Sequence, residues 1–282
     1  SISGTLQVGQ TLTANPGTWT GTAPITYTYS WYWSDNSYVG SGSTYTLTNA
    51  DAGKYLYVHV TGLNDYGSSS ANSSNSGPVS GIAPTNTGSP SISGTTTVGQ
   101  TLTADPGTWT GTPTITYTYQ WRRLSDFAIL GTGSTYTLQS GDAGIYIYVD
   151  VTGTNSYGNS TASSSTVGPV GVAPVNTVLP SISGTTQVGQ TLTANPGTWT
   201  GTSPIIYSYT WKNTNTGQPL AYTSTYVIQN ADVGINITLS VLGYNSYGSS
   251  TANSASVGPV TAVGYAPANT VAPTFSGTAQ AG

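Results

Sequence analysis

Apolar and polar residues alternate one for one along much of this chain, and no stretch spaces its apolar residues three and four apart. Ile25, Tyr27, Tyr29 and Trp31 fall on one face of an extended segment, with Thr26, Thr28 and Ser30 on the other. That period of two is the mark of a half-buried β-strand. The same run returns as Ile115, Tyr117, Tyr119, Trp121 and as Ile205, Tyr207, Tyr209, Trp211. A later alternation, Leu56, Val58 and Val60, recurs as Ile147, Val149, Val151 and as Ile237, Leu239, Val241. Leu12, Leu102 and Leu192 mark one more strand among threonines. The pattern predicts short strands and essentially no helix. Its core residues are Leu12, Trp31 and Val58, then Leu102, Trp121 and Val149, then Leu192, Trp211 and Leu239.

These recurrences are parts of one long repeat. Ser1-Ile2-Ser3-Gly4-Thr5 reappears at Ser91 and at Ser181, a spacing of 91 − 1 = 90 and 181 − 91 = 90. VGQTLTANPGTWTGT from Val8 to Thr22 returns from Val98 to Thr112 with Asp105 in place of Asn15, and from Val188 to Thr202 unchanged. Boundaries near Pro90, Pro180 and Pro273 give three domains, 1–90, 91–180 and 181–273, with 274–282 read as the opening strand of a fourth. GIAPTNTGSP, GVAPVNTVLP and GYAPANTVAP precede those prolines. Their composition predicts extended, fairly stiff connectors. About seven strands in ninety residues, parted by Gly, Pro and Asn turns, is the pattern of a two-sheet sandwich.

The VGQTLTA…PGTW opening, the YxYxW strand and the later DxG…VxV strand together resemble bacterial and phage Ig-like surface repeats, over all three units. The resemblance implies an all-β chain of three tandem immunoglobulin-like β-sandwich domains in an extended array. It implies core tryptophans at Trp31, Trp121 and Trp211, with Leu12 and Leu56 where antibody domains place their cystine. The register sets Leu56 inward and Tyr55 outward, so an antibody-type tyrosine corner is not expected at Tyr55.

Charge narrows the partners. The chain has 4 Lys+Arg, 8 Asp+Glu (every acid an Asp) and a net charge of −4, so charged residues make up 4%, against about a quarter in ordinary globular proteins. Without basic clusters it cannot neutralise phosphates or an anionic leaflet, which argues against nucleic acid and membrane surfaces as partners. No apolar run is long enough to span a bilayer, so membrane insertion is not expected. Weak mutual repulsion favours association with neighbouring repeats and with other copies of the chain. There is no Cys, which removes disulfides and thiolate metal sites.

Little is left for catalysis, which needs positioned titratable groups. His59, the one histidine, lies on an outward register and is replaced by Asp150 and Ser240 in the other units. No enzyme activity, cofactor or metal is expected. The recurring acids Asp51, Asp142 and Asp232, each two residues before a glycine, read as side chains that order the loop before the inner strand. Calcium at the junctions would need further oxygens from the connectors. The repeats differ most just after the core tryptophan, and variable loops on a fixed scaffold often carry function. Tyr32, Trp33, Tyr38, Arg122, Arg123 and Phe127 are therefore the candidate glycan-binding residues, although Trp33 continues the inward register of Trp31.

A sandwich with strands of eight to ten residues is about 30 Å tall at roughly 3.3 Å per residue, so three units reach on the order of 100 Å. The expected function is a structural array of an extracellular or virion fibre, acting as spacer, stalk or self-associating filament. The alternative is an adhesin whose repeats bind surface glycans or a receptor.

Overall fold

Seven strands build the first repeat: β1 (Ile2–Ser3), β2 (Thr11–Ala14), β3 (Thr26–Trp33), β4 (Tyr38–Ser41), β5 (Thr44–Thr46), β6 (Leu56–Asn64) and β7 (Gly67–Asn72). A computed structural model of the chain describes residues 1–264, 268–271, 273–274 and 276–277. The nine-residue segment read as a fourth opening strand, 274–282, falls mostly outside the described residues.

The strands form two sheets, β1-β2-β5 and β4-β3-β6-β7, antiparallel throughout. The same three-plus-four arrangement recurs in the second and third repeats. The chain is all-β and consists of immunoglobulin-like sandwiches. The fourth strand joins the four-stranded sheet, pairing with β3 in the register Trp31 to Gly40, whereas constant-type antibody domains carry four strands on the other sheet. Helix among the described residues is confined to single 3-10 turns at Asn49–Asp51, Ser140–Asp142 and Asn230–Asp232.

Three separate hydrophobic cores result, each between two facing sheets. Leu12, Trp31 and Val58 are fully buried, as are Leu102, Trp121 and Val149 and, in the third, Leu192, Trp211 and Leu239. Burying an indole leaves one N–H to satisfy, and it is satisfied each time: Trp31 Nε1 donates to the Gly42 carbonyl at 2.9 Å, Trp121 to Gly133 at 2.9 Å and Trp211 to Thr223 at 2.8 Å. Each indole packs on a tyrosine from the opposite sheet, Trp31 on Tyr45 with ring centroids 5.7 Å apart. Leu12 and Leu56 are both buried in the first core, where packing substitutes for a covalent bridge.

A second tryptophan explains one glycine per repeat. Trp19 lies flat over Gly62, where an added Cβ would stand 3.0 Å from the ring; Trp109 over Gly153 and Trp199 over Gly243 leave 2.9 Å. No side chain fits there, so the inner strand carries Gly at the end of its alternating run.

The first two connectors each contain a short extended strand, and hydrogen bonding ties both forward. Strand Thr85–Gly88 pairs with Thr108–Thr110 of the second repeat, and Val175–Val178 with Thr198–Thr200 of the third. Ile82 N–H donates to Thr112 Oγ1 at 2.9 Å, Thr112 N–H returns a bond to the Ile82 carbonyl at 2.9 Å, and Asn155 Nδ2 donates to the same carbonyl at 2.8 Å. Ser160 Oγ holds the Pro84 carbonyl at 2.6 Å. Thr202, Asn245 and Ser250 repeat each of these bonds on Val172 and Pro174. The chain divides into two compact units, Ser1–Val170 and Gly171–Gly282, so the second connector falls in one unit with the third repeat.

Candidate functional site

The candidate residues after the core tryptophan divide by strand register between the two faces of the four-stranded sheet. Tyr32 points outward from β3, opposite Tyr57 of β6. Their rings stack 5.5 Å apart at 17°, Tyr38 meets Tyr32 edge-on at 5.6 Å, and His59 closes the cluster at 6.4 Å. Tyr38 keeps 60% of its surface exposed. Beside this aromatic face lies a polar groove lined by Ser34, Asn36, Tyr57, Asn72, Ser73, Ser74 and Asn75. Tyr57 Oη donates to Asn36 Oδ1 at 2.9 Å, and the His59 ring pairs with Asn72 Oδ1 at 2.6 Å. Flat aromatic surface next to amides and hydroxyls offers stacking and directional polar contacts together, the combination a sugar ring requires.

Trp33 sits on the other face, half-buried against the first core. Its Nε1 donates to Asp51 Oδ1 at 2.7 Å, and the Lys54 ammonium lies 3.0 Å above its ring. One indole face is thus covered by a cation and its N–H is engaged. In the second repeat the outward position of Tyr32 is taken by Arg122, whose Nε lies 2.7 Å from Asp150 Oδ2. Arg122 Nη1 donates to the Phe127 carbonyl at 2.9 Å and Nη2 to Gln120 Oε1 at 2.6 Å. Arg123 takes the inward place of Trp33 and pairs with Asp126 at 3.3 Å. Phe127 is 61% exposed and holds a left-handed backbone at φ 60°, where the third repeat has Gly217 at φ 72° and the first Asn36 at φ 71°. A bulky side chain in that region costs about 1–2 kcal/mol, which presents an aromatic ring at a strained loop tip. The structure therefore gathers Tyr32 with Tyr38, and Arg122 with Phe127, and separates both pairs from Trp33 and Arg123. Tyr57, Asn36 and Asn72 are not among the residues that the sequence singled out for glycan binding. The signal for Tyr57 was its outward register opposite Tyr32.

The recurring aspartates are buried. Asp51, fully enclosed, accepts from Tyr45 Oη at 2.9 Å, the Thr48 N–H at 2.8 Å and Thr48 Oγ1 at 2.8 Å through Oδ2, and from Trp33 through Oδ1. Burial alone would push its pKa up, but these donors outweigh it and hold the carboxyl below the usual value. Tyr45 is driven the other way, up to about 12, by burial first and then by its bond to Asp51. Burial and Asp142 raise Tyr136 likewise, and burial and Asp232 raise Tyr226. Each acid thus orders the loop that leads into its inner strand. With both Asp51 oxygens engaged by protein donors, this carboxylate is spent internally. Groups of three or more acids or histidines placed to hold a metal ion are absent among the described residues.

No family model matches the sequence, and no curated protein matches it. Among solved structures the chain is similar to the I-band fragment I67–I69 from titin, at 17% identity and a TM-score of 0.35, over 92% of this chain and 94% of that one. It is similar also to the three N-terminal domains of the Highly Immunogenic Outer Capsid protein of bacteriophage RB49, at 16% identity and a TM-score of 0.40, over 90% and 97%. Extracellular domains 3–5 of Drosophila OTK align at 16% identity and a TM-score of 0.36, over 81% and 84%. No helix among the described residues is long and apolar enough to cross a membrane.

Proposed function

We propose that this chain is a structural array, a run of sandwich domains belonging to an extracellular or virion fibre and serving as its spacer or stalk. The observation that carries this reading is the forward docking of the connectors. Residues 82–88 are hydrogen-bonded into the second repeat through backbone and side chains alike. Such a joint resists bending, which a spacer needs and a flexible linker would not supply. The near absence of charge and of titratable clusters fits a role in span and packing more than in chemistry. Immunogold labelling of intact, unpermeabilised cells or particles tests the location: gold along surface fibres is expected, and label confined to the interior would sink the proposal.

A second reading has its own support. The stacked Tyr32–Tyr57 pair, exposed Tyr38 and the adjoining amide groove fit a glycan better than they fit a bare spacer surface. On a glycan array the reading predicts binding that Tyr38→Ala and Tyr57→Ala abolish and that Arg122→Ala in the neighbouring repeat leaves intact. Absence of binding by the unaltered chain refutes it.

A further inference from the structure

Tyr32 covers one side of the Tyr57 ring, stacked at 5.5 Å, and Tyr57 Oη is fixed on Asn36 Oδ1 at 2.9 Å. What Tyr32 leaves uncovered lines a groove of about 350 Å³ together with Asn36, Asn72 and Asn75, a volume at the lower end of the roughly 300–1,000 Å³ of small-ligand sites. Bonds within the repeat orient two of these asparagines. Asn36 Oδ1 accepts from Tyr57. The His59 ring meets Asn72 Oδ1 at 2.6 Å through Nδ1, and its Nε2 lies 3.4 Å from Thr61 Oγ1. With the proton on Nδ1, the ring donates to Asn72 and accepts from Thr61, so both contacts are satisfied. Each amide oxygen is thereby used inside the repeat, and the Nδ2 donors of Asn36 and Asn72 remain for a ligand. The arrangement belongs to one repeat. In the second, Tyr148 keeps the place of Tyr57 opposite Arg122, but Asp126 stands five residues past the core tryptophan as Asn36 does, and Asp150 replaces His59; both acids are paired with arginines. In the third, Thr238 takes the tyrosine's place opposite Lys212.

Charge narrows the ligand further. None of the residues lining the groove is charged. Lys54, the one Lys or Arg of the first repeat, is held over the Trp33 ring on the other face of the sheet. The nearest fixed charge is negative: Asp35, between Ser34 and Asn36 of the lining, accepts from the Ser37 N–H at 2.9 Å, and its bonds from the Ser37 backbone and hydroxyl hold its carboxyl below the usual value. A carboxylated or sulfated sugar would give up water here, find no cation and meet a carboxylate. An amide N–H donates and does not accept, so the two oriented asparagines call for a strong uncharged acceptor. On a sugar that acceptor is the carbonyl of an acetamido group. Building on the glycan reading above, we infer that the groove binds an uncharged N-acetylhexosamine, with its acetamido carbonyl and hydroxyl oxygens accepting from Asn36 and Asn72 and its ring lying against Tyr57.

Three probes test it, the methyl glycosides of N-acetylglucosamine, glucose and N-acetylneuraminic acid, each titrated against the full 282-residue chain and followed by saturation-transfer NMR. The N-acetylglucosaminide should bind with a dissociation constant on the order of 1 mM. The glucoside, which lacks the carbonyl, and the sialoside, which adds a carboxylate, should each bind about tenfold more weakly or less. Asn36→Asp and Asn72→Asp keep the oxygen that Tyr57 or His59 holds and exchange the Nδ2 donor for an acceptor. Both residues are exposed, and either substitution should weaken the N-acetylglucosaminide by about tenfold. Equal binding of the glucoside, tighter binding of the sialoside, or variants that bind as the unaltered chain does would overturn the assignment and leave the glycan reading standing. Binding of none of the three overturns it too, and the glycan array then decides separately whether the first repeat takes any sugar.

Discussion

Replacing Asp51 by Asn changes one atom in a buried site and should destabilise the first repeat selectively. The carboxylate accepts four hydrogen bonds, three on Oδ2 and one on Oδ1. An amide of the same shape must turn one acceptor into a donor. The cheaper orientation places NH₂ against Trp33 Nε1, which loses one charge-assisted bond worth about 1.5–3 kcal/mol and leaves a buried N–H facing another donor. The three bonds on the remaining oxygen also become neutral pairs, roughly half as strong as before. Together these come to about 4–7 kcal/mol, a large share of the about 5–15 kcal/mol that holds an ordinary domain. With a urea slope of about 1 kcal/mol/M, the midpoint of the first repeat should fall by about 4 M or more. Hydrogen exchange read by mass spectrometry along a urea series resolves the repeats, and only peptides from the first should lose protection early. The acid limb supplies a second check. Asp51 has a folded pKa below its unfolded value, so its stabilisation is present above about pH 4 and is lost as pH falls through the folded value. Asp51→Asn should lack that dependence in the first repeat. A midpoint that moves by less than about 0.5 M, or peptides of all three repeats shifting together, would show that the carboxylate is not the staple described.

Three further outcomes follow from the same geometry. Tyr45 ionises at about 12 when folded against about 10 when unfolded; its stabilisation is therefore full below pH 10 and lost between about 10 and 12, and alkaline unfolding followed by tyrosinate absorbance should place the transition in that window, with Tyr45→Phe removing it from the first repeat. Phe127→Gly relieves the left-handed backbone at a cost in chain entropy and should stabilise the second repeat by about 0.5–1 kcal/mol in chemical denaturation; a destabilised variant would mean that the exposed ring packs after all. Gly153→Val forces a side chain into Trp109, which should cost about 1–3 kcal/mol and release the connector, seen as faster amide exchange in Thr85–Gly88 with the core strands still protected.

The strands were legible because burial on one face writes itself as alternation: Tyr27, Tyr29 and Trp31 could only be read one way. The forward docking of the connectors was not. The TWT segment is the same in all three repeats, so nothing local announced that Trp109 and Trp199 would acquire a partner strand, and the glycines at 81 and 171 gained meaning only once a tyrosine ring lay across each of them. The role of Asp51 was readable as far as its loop. Its bond to Tyr45 was not, because Tyr45 sits in a short polar run, Thr44–Thr46, whose facing sheet has to be known first. The candidate site was half legible for the same reason: Tyr32 and Tyr38 flank one short turn of the sequence, whereas Tyr57 and Asn72 reach them only through the pairing of β3 with β6 and of β6 with β7.

The way each sandwich is closed sets how it meets a pull on its ends. In the first repeat the chain just past β1 lies parallel to the segment that leaves the domain: Gln7 bridges Ser80, Val8 N–H donates to the Ser80 carbonyl at 2.9 Å, and Ser80 N–H donates to the Leu6 carbonyl at 2.8 Å. The third repeat repeats this with Gln187 and Thr261. Tension drawing the entry and exit of such a domain apart runs along these two segments in opposite directions. The bonds between them are then loaded in shear and must fail together, where an antiparallel hairpin would open one rung at a time. A fibre strung from such units would yield late and abruptly, one domain after another, and each ruptured domain would pay out its own slack.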